Sequence, residues 1–361
     1  MGGEGESPAK EEGASKPEAA APPMRWLTGL VGLYVGGVLA VTVCLAFLVD
    51  RFWPATVLAY LPRWLVALPG APLALLCAAV RRWKHFGAVA LCLALAPFTV
   101  GDYEIPAMAC GQGRPDAAIR LLTQNALRRS LKEPWLADLV EREKLDLVLV
   151  QECDVRDLPG GEVDPVVSVT SPIPGFTLAY DIGGCVLSRF PIKRSDPRPR
   201  TDVWERGGSG AIALYEIEAP FGTFWVENVH LATVREGLGG FRHFGLGGIS
   251  TMRENTELRR WESGLASEWT KRAEGPLFVA GDFNMTRESA VYQEAFGAFG
   301  DAWETCGLGF GYSKETRVRG IEFGTRIDHV LFDRRFACAS AKLAPEIGSD
   351  HRGILVELRL R

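Results

Sequence analysis

Two regimes of hydrophobic patterning divide the chain. Residues 26–49 are 24 consecutive positions without a charge. As a helix they would span roughly 36 Å, against a hydrocarbon core of about 30 Å. Asp50-Arg51-Phe52-Trp53-Pro54 follows directly, where a cleaved signal peptide would have a shorter apolar core and a small-residue cleavage site. The run predicts a retained transmembrane helix. Two weaker runs come next. Residues 64–80 are uncharged but contain Pro69, Gly70 and Pro72, and residues 86–100 are barely long enough, with Pro97 near their end. They predict two further short spans or a re-entrant hairpin. Trp26, Trp53, Trp64 and Trp83 fall near the ends of these runs, where indole rings favour the interface. A soluble apolar helix pair is the plain alternative.

From Ala118 onward, short apolar runs alternate with amphipathic stretches. Strands are predicted over 119–123, 145–150, 185–187, 211–217, 223–229, 277–280, 327–332 and 354–358, and a helix over 134–142. The longest amphipathic helix is expected over 255–272. There Leu258, Trp261, Leu265 and Trp269 recur at helical spacing and predict a core-facing stripe. No internal repeat is visible.

Composition sharpens this division. Hydrophobic residues make up 47% of the chain, high for a soluble protein, and the excess lies in the first hundred residues. Residues 1–23 hold no aliphatic larger than alanine and are expected to be a disordered tail. The domain reading is therefore a tail over 1–23, a membrane segment over 24–101 with three spans, a flexible tether over 102–117 and a catalytic-type domain over 118–361. Lys16 and Arg25 precede the first run, and Arg81, Arg82 and Lys84 crowd the turn between the second and third. By the positive-inside rule both regions are cytoplasmic, so a third span delivers the rest outside, whereas two spans would leave it in the cytoplasm. Residues 101–361 carry 32 Lys/Arg against 38 Asp/Glu, a net of −6, which excludes a body that coats DNA through charge alone. The eight cysteines include no C-x-x-C pair, which argues against a zinc ribbon or thioredoxin-like motif and leaves the redox compartment open.

The candidate chemistry lies at strand ends, where loops let polar groups converge. Val279-Ala280-Gly281 leads into Asp282-Phe283-Asn284. If extended geometry continues, Asp282 and Asn284 leave one face while Phe283 points into the core. A carboxylate beside a carboxamide suits a divalent cation and the phosphoryl oxygen it polarises; an Asx turn that merely closes the strand is the competing reading. The other predicted strands stop at or beside Asn125, Glu152, His230, Asp328 and Asp350-His351. Taken singly, each is weak.

As an ordered set, they resemble the endonuclease/exonuclease/phosphatase superfamily with its deoxyribonuclease I-like fold. The matching segments are TQNALR at 123–128, LVLVQE at 147–152, VLSRFPI at 186–192, NVHL at 228–231, AGDFN at 280–284, RIDHVLF at 326–332 and GSDH at 348–351. The resemblance implies an α/β fold, a four-layer sandwich of two mixed β-sheets face to face with helices outside, here preceded by an N-terminal transmembrane helical segment. It also implies a Mg²⁺-dependent phosphoester hydrolase, with Mn²⁺ an alternative ion. Carried over residue by residue, Glu152 is the principal metal ligand, helped by Asn125 and Asp350. Asp282 and Asn284 position water and phosphate. Asp328 holds the ring of His351, which binds or protonates a phosphoryl oxygen, and His230 contacts phosphate or the leaving group.

Asn125, Asn284 and Arg189 are the expected phosphate contacts. Arg189 belongs to arginine clusters that also include Arg128-Arg129 and residues 193–206, which either line the phosphate site or form solvated loops. No carboxylate partner for His230 is evident in the sequence, and alternation turns His329 away from Asp328, which makes it structural. Hard oxygen ligands favour Mg²⁺ or Mn²⁺ over zinc. The expected partners are a phosphoester substrate (lipid headgroup, small phosphodiester or nucleic acid) and a lipid bilayer met through residues 24–101. The competing class is a catalytically silent binding or sensing module on the same fold, which would be expected to lack part of the polar set.

Overall fold

The computed structural model describes residues 24–154, 166–180, 183–318 and 320–361, so the expected tail over 1–23 lies outside the described residues. Four helices come first: α1 (Arg25–Leu48), α2 (Trp53–Ala59), α3 (Gly70–Ala79) and α4 (Trp83–Thr99). Among the described residues only α1 is by itself long and apolar enough to cross a bilayer, as a span or as a signal sequence. The second expected span, 64–80, is not one straight helix: its α-helical part is only α3, and a bend of 105° separates the stretch 63–79 from α2. Pro62 and Pro69 stand just before the two helical pieces after the bend, where a ring without an N–H interrupts helical hydrogen bonding. α4 runs for 17 residues with Pro97 inside it. α1 and α4 lie side by side in the same direction. Thr28 Oγ1 is 3.0 Å from His85 Nε2 at one end, and Val49 and Val100 share an apolar cluster at the other.

The remainder alternates strand and helix: β1 (Ala118–Asn125), α5 (Pro134–Glu143), β2 (Leu147–Gln151), β3 (Val166–Thr170), β4 (Thr177–Tyr180), β5 (Gly184–Ser188), β6 (Ile192–Pro197), α6 (Thr201–Glu205), β7 (Ala211–Ala219), β8 (Gly222–His230), α7 (Arg235–Phe244), α8 (Gly248–Thr270), β9 (Leu277–Asp282), α9 (Ala290–Phe296), β10 (Gly300–Asp301), α10 (Ala302–Cys306), β11 (Lys314–Val318), β12 (Ile321–Thr325), β13 (Asp328–Phe332), β14 (Phe336–Leu343) and β15 (Ile354–Leu360). One sheet has the order β14-β15-β1-β2-β5-β4-β3 and the other β10-β13-β9-β8-β7-β6, while β11 and β12 form a separate hairpin. Both sheets are mixed, since β1–β2 and β8–β9 pair in parallel and their other neighbours antiparallel.

Alternation along the strands builds the layers. Leu121, Leu149 and Val186 of the first sheet meet Tyr215, Phe224 and Phe278 of the second in one central core. The outer face of the first sheet buries Leu122, Val148 and Leu187 against Leu136 and Leu139 of α5. The outer face of the second buries Val229 and Val279 against Ala266 of α8 and Val291 and Phe296 of α9. This is the expected four-layer sandwich.

Two expectations need correction. The segment 102–117 is no loose tether. Asp102 is buried against Arg326, Cys110 is disulfide-bonded to Cys306, and the Arg114 N–H donates to the Leu360 carbonyl. The buried face of α8 is also largely polar rather than the Leu/Trp stripe. Asn255, Arg259, Glu262 and Ser263 are buried along with Met252 and Ala266, whereas Leu258, Trp261, Leu265 and Trp269 are only half-buried on its flanks. Periodicity assumes that the buried face is apolar. Here charges go inside because partners from distant segments meet them, including Asp50 at Arg259.

Glu227 on β8 is the exception. It is fully buried, and among the described residues neither carboxyl oxygen has a hydrogen-bond partner. Burial therefore pushes its pKa well above the ordinary carboxylate value. A carboxyl raised in the folded state contributes stability fully present below its unfolded pKa and lost as pH rises toward its folded value. Glu227→Gln should therefore unfold at a higher temperature than wild type at pH 8, with the gain vanishing at pH 4. Equal differences at both pH values, read by differential scanning calorimetry, would contradict this.

Candidate active site

The functional side chains gather where the two parallel strand pairs stop. Asn125 pairs with Gln151 across β1 and β2, and Asp282 at the end of β9 lies between His230 of β8 and Asp328 of β13. Because the sheets pack face to face, these ends meet. The Asn125 amide nitrogen donates to Asp282 Oδ2 at 3.0 Å and to Glu152 Oε1 at 3.1 Å. Its amide oxygen accepts the Leu127 N–H. In this arrangement Asn125 ties the two carboxylates together.

Gly281 makes the close approach possible. Its φ of +152° is open to glycine, and a Cβ there would collide with the Val229 carbonyl oxygen. Extended geometry ends at Asp282 rather than continuing to Asn284. Asn284 takes φ +53°, its N–H donates to Asp282 Oδ1 at 2.9 Å, and its amide donates to the Leu231 carbonyl at 2.9 Å. The Asx turn and the functional carboxylate are thus the same residue. Phe283 points inward as expected, packed edge-on against Phe296 and His329.

His351 Nδ1 lies 2.9 Å from Asp328 Oδ2, and its Nε2 lies 3.6 Å from Asp282 Oδ2. Burial works against a charged ring here, but the Asp328 and Asp282 carboxylates outweigh it and lift the His351 pKa to about 9. Asp282 is pushed above its ordinary value, first by burial and then by the neighbouring Asp328 charge, with His351 and His230 opposing. His230 Nε2 stands 3.8 Å from both Glu152 Oε1 and Asp282 Oδ2, so it faces the carboxylates that the sequence could not supply. Asp282, Asp328 and His351 each offer a ligand atom within 4.8 Å of the others, and Asp328 Oδ1 is buried with no partner among the described residues. Such a hollow, rich in carboxylate oxygen, fits a hard divalent cation.

Asp350 stands at the margin of this cluster, and Arg189 lies well away from it. Asp350 pairs with Lys314 of β11 and approaches His351 Nε2 only to 4.0 Å. Burial acts to raise its pKa, but the Lys314 hydrogen bond prevails and lowers it. Arg189 is a correction. β5 runs antiparallel to β2, so Gly184 meets Gln151 at the site while Ser188 meets Leu147 four residues away. Arg189 therefore stands about 13 Å or more down the sheet. There its guanidinium donates to the Leu145 carbonyl and neighbours Asp146. Arg129 pairs with Glu133, and Arg198 with Asp202.

The structure adds residues that the sequence did not suggest. The buried Glu262 accepts N–H groups from Gly210 and Ala232, bracing the strand before and the loop after His230. Asn228 accepts from Gln151 Nε2 at 2.7 Å and stitches the sheets together beside the site. Ser313 Oγ accepts the N–H groups of Ile327 and Asp328. No local pattern marks these positions, because each acts through a long-range contact. His329 is structural, held by Asp301 at 2.8 Å and the Met285 carbonyl at 3.0 Å.

Residues 122–351 match the profile of the Endonuclease/Exonuclease/phosphatase family. No curated protein matches the chain. Among solved structures, a family protein from Bacteroides thetaiotaomicron is 15% identical, with 68% of this chain and 96% of that one covered at a TM-score of 0.44. The D. rerio TDP2 complexed with single strand DNA product is 14% identical, with coverage of 67% and 99% and a TM-score of 0.46. A mannosyl-6-phosphatase from Bacteroides thetaiotaomicron is 17% identical, with coverage of 66% and 99% and a TM-score of 0.44.

The carboxylates around His351 account for its raised pKa. In metal-free protein, NMR titration should find its ring titrating near pH 9. In Asp328→Asn the midpoint should fall by a unit or more, about 1.4 kcal/mol or more of lost interaction. An unmoved midpoint would contradict the pairing.

Proposed function

The chain belongs to the endonuclease/exonuclease/phosphatase family, whose members hydrolyse phosphoesters, and we propose that it is a membrane-anchored, Mg²⁺-dependent member facing outside the cytoplasm. One observation carries the reading: Glu152, Asp282, His230 and the Asp328–His351 pair converge on a single hollow. Glu152 and Asp282 supply carboxylate oxygens for the ion, with Asn125 holding them together and Asp350 at the margin. When bound there, Mg²⁺ would neutralise charge on the phosphoryl oxygens. Mn²⁺ satisfies the same donors.

The chain's own groups supply the rest. The Asp282–Asn284 turn orients the attacking water in line with phosphorus. His351, charged at neutral pH and steered by Asp328, donates from Nε2 to a phosphoryl oxygen. His230, on the opposite flank of Asp282, serves the phosphate or the leaving group. Asn284 keeps its turn, while its amide is already committed to the Leu231 carbonyl.

Membrane placement draws on three supports. α1 is long and apolar enough to cross a bilayer, the bent α2–α3 stretch is so only as one broken span, and we read α4, which runs beside α1 in the same direction, as the third. Arg81, Arg82 and Lys84 then share one end with Arg25, and the catalytic part lies at the other. The disulfides Cys110–Cys306 and Cys153–Cys185 suit an oxidising compartment. The acidic body close to a bilayer favours a lipid headgroup or small phosphodiester over long duplex DNA.

The full chain in detergent should hydrolyse bis-p-nitrophenyl phosphate with Mg²⁺ or Mn²⁺, stop with EDTA, and lose at least about a hundredfold in Asp282→Ala and His351→Ala. Intact spheroplasts of a bacterial host should cleave externally added substrate as fast as lysed ones. Wild-type activity no greater than the variants' would overturn the enzyme reading. Activity seen only after lysis would overturn the sidedness.

A further inference from the structure

The segment between the membrane helices and the loop after Asp282 are locked together by buried polar contacts. Asp50, just past α1, pairs with Arg259 of α8 at 2.5 Å, and both side chains are fully buried. Ser289 Oγ also bonds to Asp50, and the Ala290 N–H donates to the Val49 carbonyl at 3.3 Å. Tyr60 donates its hydroxyl to the Asn284 carbonyl at 3.1 Å. Arg63 forks onto Glu288 at 2.5 and 3.1 Å, with both side chains largely buried. All these partners except Arg259 lie in residues 284–290, directly after the Asp282 turn.

Positive backbone φ angles occur on both sides of this contact. Among the described residues, eight non-glycine positions have positive φ. Leu127, Arg128, Glu152 and Asn284 are in the site loops, while Asp50 and Asp102 are at the junction with the membrane helices. Strained backbone persists only where surrounding contacts over-determine it. At Asn284 those contacts come from Asp282, Leu231 and Tyr60.

We propose that Asp50, Tyr60 and Arg63 are positioning residues for the catalytic centre, and that the membrane segment completes the active site rather than merely anchoring it. Tyr60 fixes the Asn284 carbonyl and hence the left-handed turn whose N–H holds Asp282 Oδ1. Arg63 and Asp50 pin the next turn of the loop through Glu288 and Ser289. With the clamp loosened, Asp282 keeps its strand but loses the fixed rotation of its carboxylate. The inference rests on the phosphoesterase reading of the site for its kinetic consequence, but not for its structural one.

Tyr60→Phe removes one hydroxyl and keeps the ring, and Glu288→Gln removes the charge that Arg63 grips. In the full chain in detergent with Mg²⁺ and bis-p-nitrophenyl phosphate, each should lower kcat about tenfold with KM unchanged. Tyr60→Phe should keep the wild-type unfolding temperature, and hydrogen exchange over residues 283–290 should quicken in both. Wild-type kcat in both variants, or a loss of kcat in Tyr60→Phe that merely follows a lowered unfolding temperature, overturns the clamp. If the wild-type chain hydrolyses nothing, the phosphoesterase reading fails. The exchange rates then decide alone: quicker exchange in Tyr60→Phe supports the clamp and equal exchange overturns it.

Discussion

A buried carboxylate at a strand end is the constraint on which this structure turns. Asp282 is almost wholly enclosed, and the charge of another buried aspartate, Asp328, bears on it. Two such charges in a poorly solvated hollow repel, and each also loses hydration. The surroundings answer on every side. Asn125 reaches over from the first sheet, the Asn284 N–H caps Oδ1, and His351 and His230 face Oδ2. The Asn284 N–H is local to Asp282, but Asn125, His351 and His230 come from other strand ends, so the sandwich must be assembled before the hollow exists. The same negative field that is costly to bury is what a divalent cation and a protonated imidazole require.

How much of this the sequence disclosed depends on the range of each interaction. The inward Phe283 and the structural His329 follow from local alternation and were legible. Strand ends carrying Asn125, Glu152 and His230 were legible because a polar residue closing an apolar run stands out. Arg189 misled because closeness in sequence to a motif strand says nothing about which end of that strand it occupies; strand direction decided that. The polar inner face of α8 was invisible because its compensation comes from far away: Asp50 for Arg259, and the Gly210 and Ala232 N–H groups for Glu262. β14 was missed for a different reason, since Phe336–Leu343 contains no β-branched residue.

The docked N-terminal segment changes how the molecule divides. Composition marks residues 102–117 as a linker, yet Asp102 sits between Arg326 and Arg287, and Cys110 is tied to Cys306. Breaking one partner of a buried ion pair costs about 3–5 kcal/mol, a large share of the roughly 5–15 kcal/mol that stabilises a typical domain. A chain cut after α4 would leave Arg259 and Glu288 buried without Asp50 and Arg63. The seating of the N-terminal helices and the catalytic geometry are therefore parts of one packing problem.

The central claim is that side chains spread over more than two hundred residues form one cation-sized hollow. Titrating the metal-free full chain with Mn²⁺, with free ion followed by electron paramagnetic resonance, tests it most directly. The account expects one tight site, abolished in Glu152→Gln and in Asp282→Asn and unaffected in Arg189→Ala. Absence of a site in the wild-type chain, or a site indifferent to both acidic substitutions, would contradict it.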